Sequence, residues 1–442
     1  MEIFARKTKN GMSIRFNRKN YKLIFPEKIW KKYPLKDFLV DNLSYLLTIN
    51  LPLVAEIDEL NYNTSIPFFK IFFDNMVIRG IPHAVEEYKN LNTQEILKKF
   101  MNIQYKFKDY NYKIPNHNYK NTKNRAVVSF SAGKDSTLSL AIANEIGLNP
   151  IPVYINDTVS PTENLLKKKT IKKISDDFNL SYHIIKNEIE KLNDFETWNM
   201  PESCIGYTHM LTSFCFILLP IAFYYNSKYI VVGNEFNLNY KIMNKDGYLT
   251  FPSFDQSKEW MIQQNLMINL ITNNKTSIIS LIEPLTNLSI YKILFERYPE
   301  YAKNLASCYG LDASNESRWC HNCSTCASSY LMISAFEDPK KVGFKYNMFD
   351  KKYKKLYSVF GGGDIYEKSE ESIEENKFAF YLAYKNGAKG YLINKFKKKF
   401  LKEVISREDD LYKKFFSLHK TVSIPKNIKK KVFGIYSEAL KY

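Results

Sequence analysis

Short apolar runs and helical apolar stripes alternate through the middle of this chain. From Ala126 to Phe130 the run AVVSF reads as a strand buried on both faces. A polar loop follows, Ser131-Ala132-Gly133-Lys134-Asp135-Ser136. Leu138, Ala141, Ile142 and Ile146 then recur at helical spacing, and Gly147 supplies the stop. The rhythm continues with a strand at Pro150–Ile155, a helix at Leu165–Phe178 and a strand at Tyr182–Ile185. A buried helix at Gly206–Tyr225 leads to a strand at Tyr229–Val232, which ends at Gly233-Asn234-Glu235. Ile278–Ile282 is a further apolar run, just before Glu283-Pro284-Leu285. Strands alternating with helices predict an α/β fold with a parallel sheet over about 125–340. Ligands in such sheets sit beyond the carboxyl ends of the strands. That rule gathers the Ser131 loop, Ile155-Asn156 and Gly233-Asn234-Glu235 around one crevice.

The flanks read differently. Residues 1–120 predict a separate α+β region. Short strands are expected around Ile14–Phe16 and Tyr21–Phe25, a helix over Pro34–Ile49, and another within Ile66–Asn90. Tyr110–Asn124 is polar and turn-rich and reads as a linker. Residues 341–442 are Lys-rich and predict mostly helix, with a turn or hinge at Gly361-Gly362-Gly363. Lys397-Lys398-Lys399 and Lys429-Lys430-Lys431 are basic runs that suit a solvated helix face or a polyanion.

Composition adjusts this picture only slightly. The 442 residues are 45% hydrophobic, enough for two or three globular regions. The formal charge of +18 invites a nucleic-acid partner, but the excess is mostly lysine, with little of the arginine that reads bases best. Nucleic acid is therefore the less favoured substrate. Met210–Tyr225 is the most apolar stretch; it is short for a span, contains Pro220, and is expected inside the fold. Met1-Glu2-Ile3-Phe4 does not read as a signal peptide, and a cytoplasmic protein with no membrane segment is expected.

Two stretches carry chemistry. A strand, a loop of small residues and a helix together present backbone N–H groups to an anion. Ser131, Ser136 and Thr137 add hydroxyls and Lys134 a mobile charge. The second stretch is Cys308, Cys320, Cys323 and Cys326, four of the six cysteines. Four thiolates at this spacing satisfy tetrahedral zinc in a closed, structural site. A cubane iron–sulfur cluster is the rival, and His321 is placed to replace one ligand. Cys204 and Cys215 are expected to be buried thiols.

The loop resembles the PP-loop of the N-type ATP pyrophosphatases, S-G-G-x-D-S, matching at Ser131, Gly133, Asp135 and Ser136, with Ala132 in place of the first glycine. Followed by Glu283-Pro284-Leu285, Ser289-Ile290-Tyr291-Lys292-Ile293, Ser307-Cys308-Tyr309 with Gly310 nearby, and the cysteine cluster, it is similar to the 7-cyano-7-deazaguanine synthase family over Ala126–Phe336. That resemblance implies a three-layer α/β/α domain, one zinc, and ATP with magnesium. The implied reaction is adenylation of a carboxylate, 7-carboxy-7-deazaguanine or a relative. Pyrophosphate leaves, and ammonia or another amine then displaces AMP. It further implies that Lys134, Asp135 and Ser136 are catalytic, and that Ser129, Ser131, Ala132, Gly133, Thr137, Ile155 and Gly233 also hold the nucleotide. The chain departs from the family where the deazaguanine would bind. There, His209, Asn234, Glu235 and Lys258 are the substrate candidates, and His209 and the two charged side chains each have an equally good structural explanation. These departures and the added flanks resemble a divergent branch associated with anti-phage defence, with a partner protein or a homodimer allowed. Two alternatives stay open. One is a tRNA-modifying PP-loop enzyme, whose thiolating form would need a further catalytic cysteine, with Cys204 the better candidate. The other is a nucleotide-binding subunit of a defence complex.

Overall fold

The computed structural model describes residues 1–86, 88, 90–115, 119, 122–308 and 318–441. Its strands, in chain order, are β1 (Glu2–Thr8), β2 (Gly11–Phe16), β3 (Lys19–Ile24), β4 (Glu59–Ser65), β5 (Gln104–Asp109), β6 (Lys123–Ser129), β7 (Ile151–Asp157), β8 (His183–Asn187) and β9 (Ser227–Val231), then a small hairpin of β10 (Ile242–Met243) and β11 (Leu249–Thr250), and last β12 (Ser277–Ile279). All but the hairpin form one sheet of order β12-β9-β6-β7-β8-β3-β2-β1-β4-β5. The run from β12 to β8 is parallel throughout. Numbered among themselves, those five strands lie in the order 5-4-1-2-3, so the winding reverses between β6 and β9. Crevices for ligands open at such a reversal.

Period-two alternation explains why this half is apolar on both faces. Ala126, Val128 and Phe130 join one core with Leu138, Ala141 and Ile142 of the helix Lys134–Glu145. Val127, Ile230 and Ile278 join the opposite core, with Phe216, Ile221, Trp260 and Ile268. Helices therefore cover both faces, which is compatible with the three layers expected. The long apolar helix expected at Gly206–Tyr225 is present, with an irregular first turn and one interruption at Leu218, itself right-handed helical. A 3-10 turn spans Ile205–Tyr207, and α-helices span Met210–Ile217 and Leu219–Tyr225. Pro220 lacks the N–H that would continue the ladder. The stretch Ile205–Tyr225 is apolar enough to cross a membrane by composition, but 72% of its 18-residue apolar window is buried inside the protein.

The N-terminal region does not stand apart as expected. β3 pairs antiparallel with β8, Leu23 opposite Asn187 and Ile24 opposite Lys186, so its strands extend the central sheet. The physical gain is a covered edge: β8 would otherwise present unpaired backbone groups. Pairing across more than 150 residues leaves no mark in local periodicity. The expected linker Tyr110–Asn124 lies partly outside the described residues, and Lys123 already belongs to β6. The C-terminal region is helical, with helices at Glu370–Lys385, Tyr391–Lys399, Leu401–Ile405, Glu408–Phe415 and Lys426–Ala439. Phe378, Phe380, Phe396 and Phe415 are buried in the same core as the helix after β6.

Candidate functional site

The Ser131 loop leaves β6 at the winding reversal. Its helix begins at Lys134 with Gly133 as N-cap, and no side chain caps it. The first N–H groups of such a helix lack partners within it and carry partial positive charge. Ser136 braces the loop from inside: its Oγ accepts from the Ser131 N–H at 3.2 Å and donates to the Gly133 carbonyl at 3.2 Å. Ala132 sits at φ +61°, a left-handed conformation where glycine is the easier choice. Gly233, beyond β9, lies against this loop; a Cβ there would stand 2.8 Å from the Asp135 Cβ. Only a residue without a side chain lets the chain leaving β9 meet the helix start so closely.

A cavity of about 300 Å³ opens in front of the loop. Ser131, Gly133, Lys134, Asp135 and Glu235 form one wall. The Lys134 ammonium donates to Asp135 Oδ1 and to Glu235 Oε2, both at 2.7 Å. Burial alone would lower the lysine, but the two carboxylates hold it above its ordinary value. Burial pushes the Glu235 carboxyl up against the pull of Lys134. The opposite wall comes from Ser324, Thr325, Ser328 and Ser329, and from Asp364, Tyr366 and Glu367 of the C-terminal region. Removal from water pushes Glu367 up to about 7, against Ser328, and Asp364 adds to the rise. Four carboxyl groups and two lysines, Lys134 and Lys167, thus line the cavity.

Sequence reasoning missed that second wall. Ser324, Thr325 and Ser328 share one face of the helix Ser324–Ser334, and their i, i+1, i+4 spacing was a usable signal. Asp364 accepts from the Ser324 hydroxyl at 3.1 Å, which ties the two contributions together. Glu375, fully buried on the helix Glu370–Lys385, accepts from the Leu288 N–H at 2.7 Å and from Asn237 beside Glu235.

The same hydroxyl-bearing helix starts at the cysteine cluster. Cys323 is its N-cap, and its Sγ accepts from the Cys326 N–H at 3.4 Å. The four Sγ atoms of Cys308, Cys320, Cys323 and Cys326 lie within 4.8 Å of one another, with 3.8 Å between Cys320 and Cys326. A single ion bound at about 2.3 Å to each sulfur sets neighbouring sulfurs at about this spacing, so the group could hold a metal such as zinc. His321 is not part of it: its Nε2 accepts from the Lys345 N–H at 3.0 Å. Tyr309 and Gly310 lie outside the described residues.

The remaining candidates fall elsewhere. Thr137 and Ile155 are buried, Ile155 in the core opposite the loop's helix, and Ser129 is the last residue of β6. Asn234 is buried, with its carbonyl accepting from Ser280 at 2.7 Å. Lys258 starts a helix, its N–H on Asn239. His209 is wholly buried, 3.0 Å from Asn50 and 3.6 Å from Glu190, and does not line the cavity. Cys204 stands 3.2 Å from the Tyr88 hydroxyl, and burial pushes the Cys215 thiol up to about 12. No family model matches this chain, and no curated protein matches it.

Proposed function

We propose that this protein is an ATP-dependent, AMP-forming ligase that activates a carboxylate for attack by ammonia or an amine. The observation carrying this reading is the uncapped helix start at Gly133-Lys134, placed at the sheet's winding reversal and facing a cavity. In this reading the carboxylate oxygen attacks the α-phosphorus of ATP, the bond to the bridging β-oxygen breaks, and pyrophosphate leaves. The amine then attacks the acyl carbon and AMP leaves. The loop N–H groups and Lys134 bear on the charge that grows on the departing pyrophosphate. Asp135 and Glu235 offer the hard oxygen ligands magnesium prefers. Magnesium would neutralise the phosphates when bound. The cysteine cluster, as a zinc site, fixes the helix that forms the far wall; one ion spanning sulfurs this close favours zinc over an iron–sulfur cluster, which interposes several atoms.

Asp135→Ala tests the reading. It is expected to cut AMP formation by about 100-fold or more while the fold melts near the parent temperature. Full activity in that variant would remove the loop from the reaction. ATP binding by calorimetry is expected to weaken at least tenfold when magnesium is chelated, because the cation shares the phosphate charge.

A further inference from the structure

A second feature lies outside the cavity and outside the proposed reaction. The 3-10 segment Lys351–Leu356 (KKYKKL) carries four lysines, and so does the helix Tyr391–Lys399 (YLINKFKKK). They are far apart in sequence but are locked side by side. The Leu392 N–H donates to the Phe349 carbonyl at 2.8 Å, and Asn347 Nδ2 donates to the Lys389 carbonyl at 2.9 Å. Among the described residues, none of these eight lysines pairs with a carboxylate, although ion pairs occur nearby at Lys377–Glu403 and Lys385–Glu408. Asp350, at the start of the first segment, pairs with none of them. Loss of solvent and the ammonium groups of Lys354, Lys399 and Lys351 draw Lys395 below its ordinary value. Like charges are thus held together without relief, a cost to the free protein that a polyanion would remove.

Two exposed rings lie among these charges. Tyr346 is 59% exposed with Lys352 Nζ 5.9 Å from its centre, and Tyr391 is 44% exposed with Lys351 Nζ 5.9 Å from its centre. Lysines alone would suit any polyanion. Lysines set over half-exposed aromatic rings suit a flexible backbone whose unpaired bases can displace the mobile ammonium groups and stack. We propose that the face formed by Lys351–Leu356 and Tyr391–Lys399 binds single-stranded nucleic acid, with phosphates on the lysines and bases on Tyr346 and Tyr391.

The test uses the full chain and fluorescent oligo-dT and oligo-U of about 20 nucleotides. Binding is expected to weaken linearly in log–log form with salt. The Lys395→Glu/Lys398→Glu variant is expected to bind at least about tenfold more weakly, with a shallower salt slope. Tyr391→Ala is expected to lose about fivefold for the oligonucleotides and nothing for inorganic polyphosphate. Equal binding of both oligomers would assign recognition to backbone and base stacking; tighter oligo-U would add the 2′-hydroxyl. The melting temperatures of both variants serve as fold controls. The proposal is overturned if wild type binds neither oligomer at low salt, or if charge reversal changes nothing. It is equally overturned if polyglutamate competes as well as the oligonucleotides and Tyr391→Ala is silent, which would mark a face for an acidic protein.

Discussion

Lys134 is the residue on which the cavity's charge turns. It is held between Asp135 and Glu235, and its removal would leave a buried carboxylate without a partner. Gly233 has a purely steric part. Gly233→Ala places a methyl against Asp135 and is expected to cost about 1–3 kcal/mol, read by denaturant unfolding, and to slow AMP formation. Glu367 gives a pH signature. Its carboxyl is raised to about 7 in the fold and titrates at its ordinary, lower value when unfolded. The folded state therefore holds the extra proton between those two values. Its contribution to stability is complete below the unfolded value and disappears as pH climbs through 7. Melting temperature is expected to fall from pH 5 to pH 8, and Glu367→Gln is expected to flatten that slope.

At the scale of elements, the loop and its helix were legible because their chemistry is local. Ser131, Gly133, Lys134 and Asp135 are consecutive or nearly so, and a strand followed by an amphipathic helix fixes where they point. Cys308 and the three cysteines from Cys320 were legible by spacing. The far wall was not, since Asp364 and Glu367 reach the cavity only through packing of a C-terminal helical region whose sequence shows lysines and aromatics. His209 illustrates the converse: a lone histidine in an apolar stretch fits a ligand or a core, and tertiary contacts with Asn50 and Glu190 decide. Glu283 has a structural part that local pattern does not show. Its buried carboxylate accepts from the Val422 N–H at 2.9 Å, from the Ser423 N–H at 2.8 Å and from the hydroxyls of Thr421 and Ser423, pinning the C-terminal chain beside β12. Glu283→Ala is expected to cost about 3 kcal/mol, because several buried donors lose their acceptor together. The cysteine cluster is expected to carry one zinc per chain by elemental analysis. Cys326→Ser should lose the metal, lower the melting temperature and weaken ATP binding through the helix Ser324–Ser334.

Across the whole molecule, three stretches of chain converge on one sheet. The N-terminal strands cover the β8 edge, the central strands set the winding reversal, and Asp364, Tyr366 and Glu367 of the C-terminal region join the cavity's lining. A C-terminal region that carries no motif thus still shapes the cavity. The most direct measurement of the central claim is nucleotide product analysis. Purified protein is incubated with ATP, magnesium, ammonium and 7-carboxy-7-deazaguanine, beside the Asp135→Ala variant. AMP and pyrophosphate from the parent, absent from the variant, are the expected result; ADP and phosphate, or AMP formed equally by both, would contradict it.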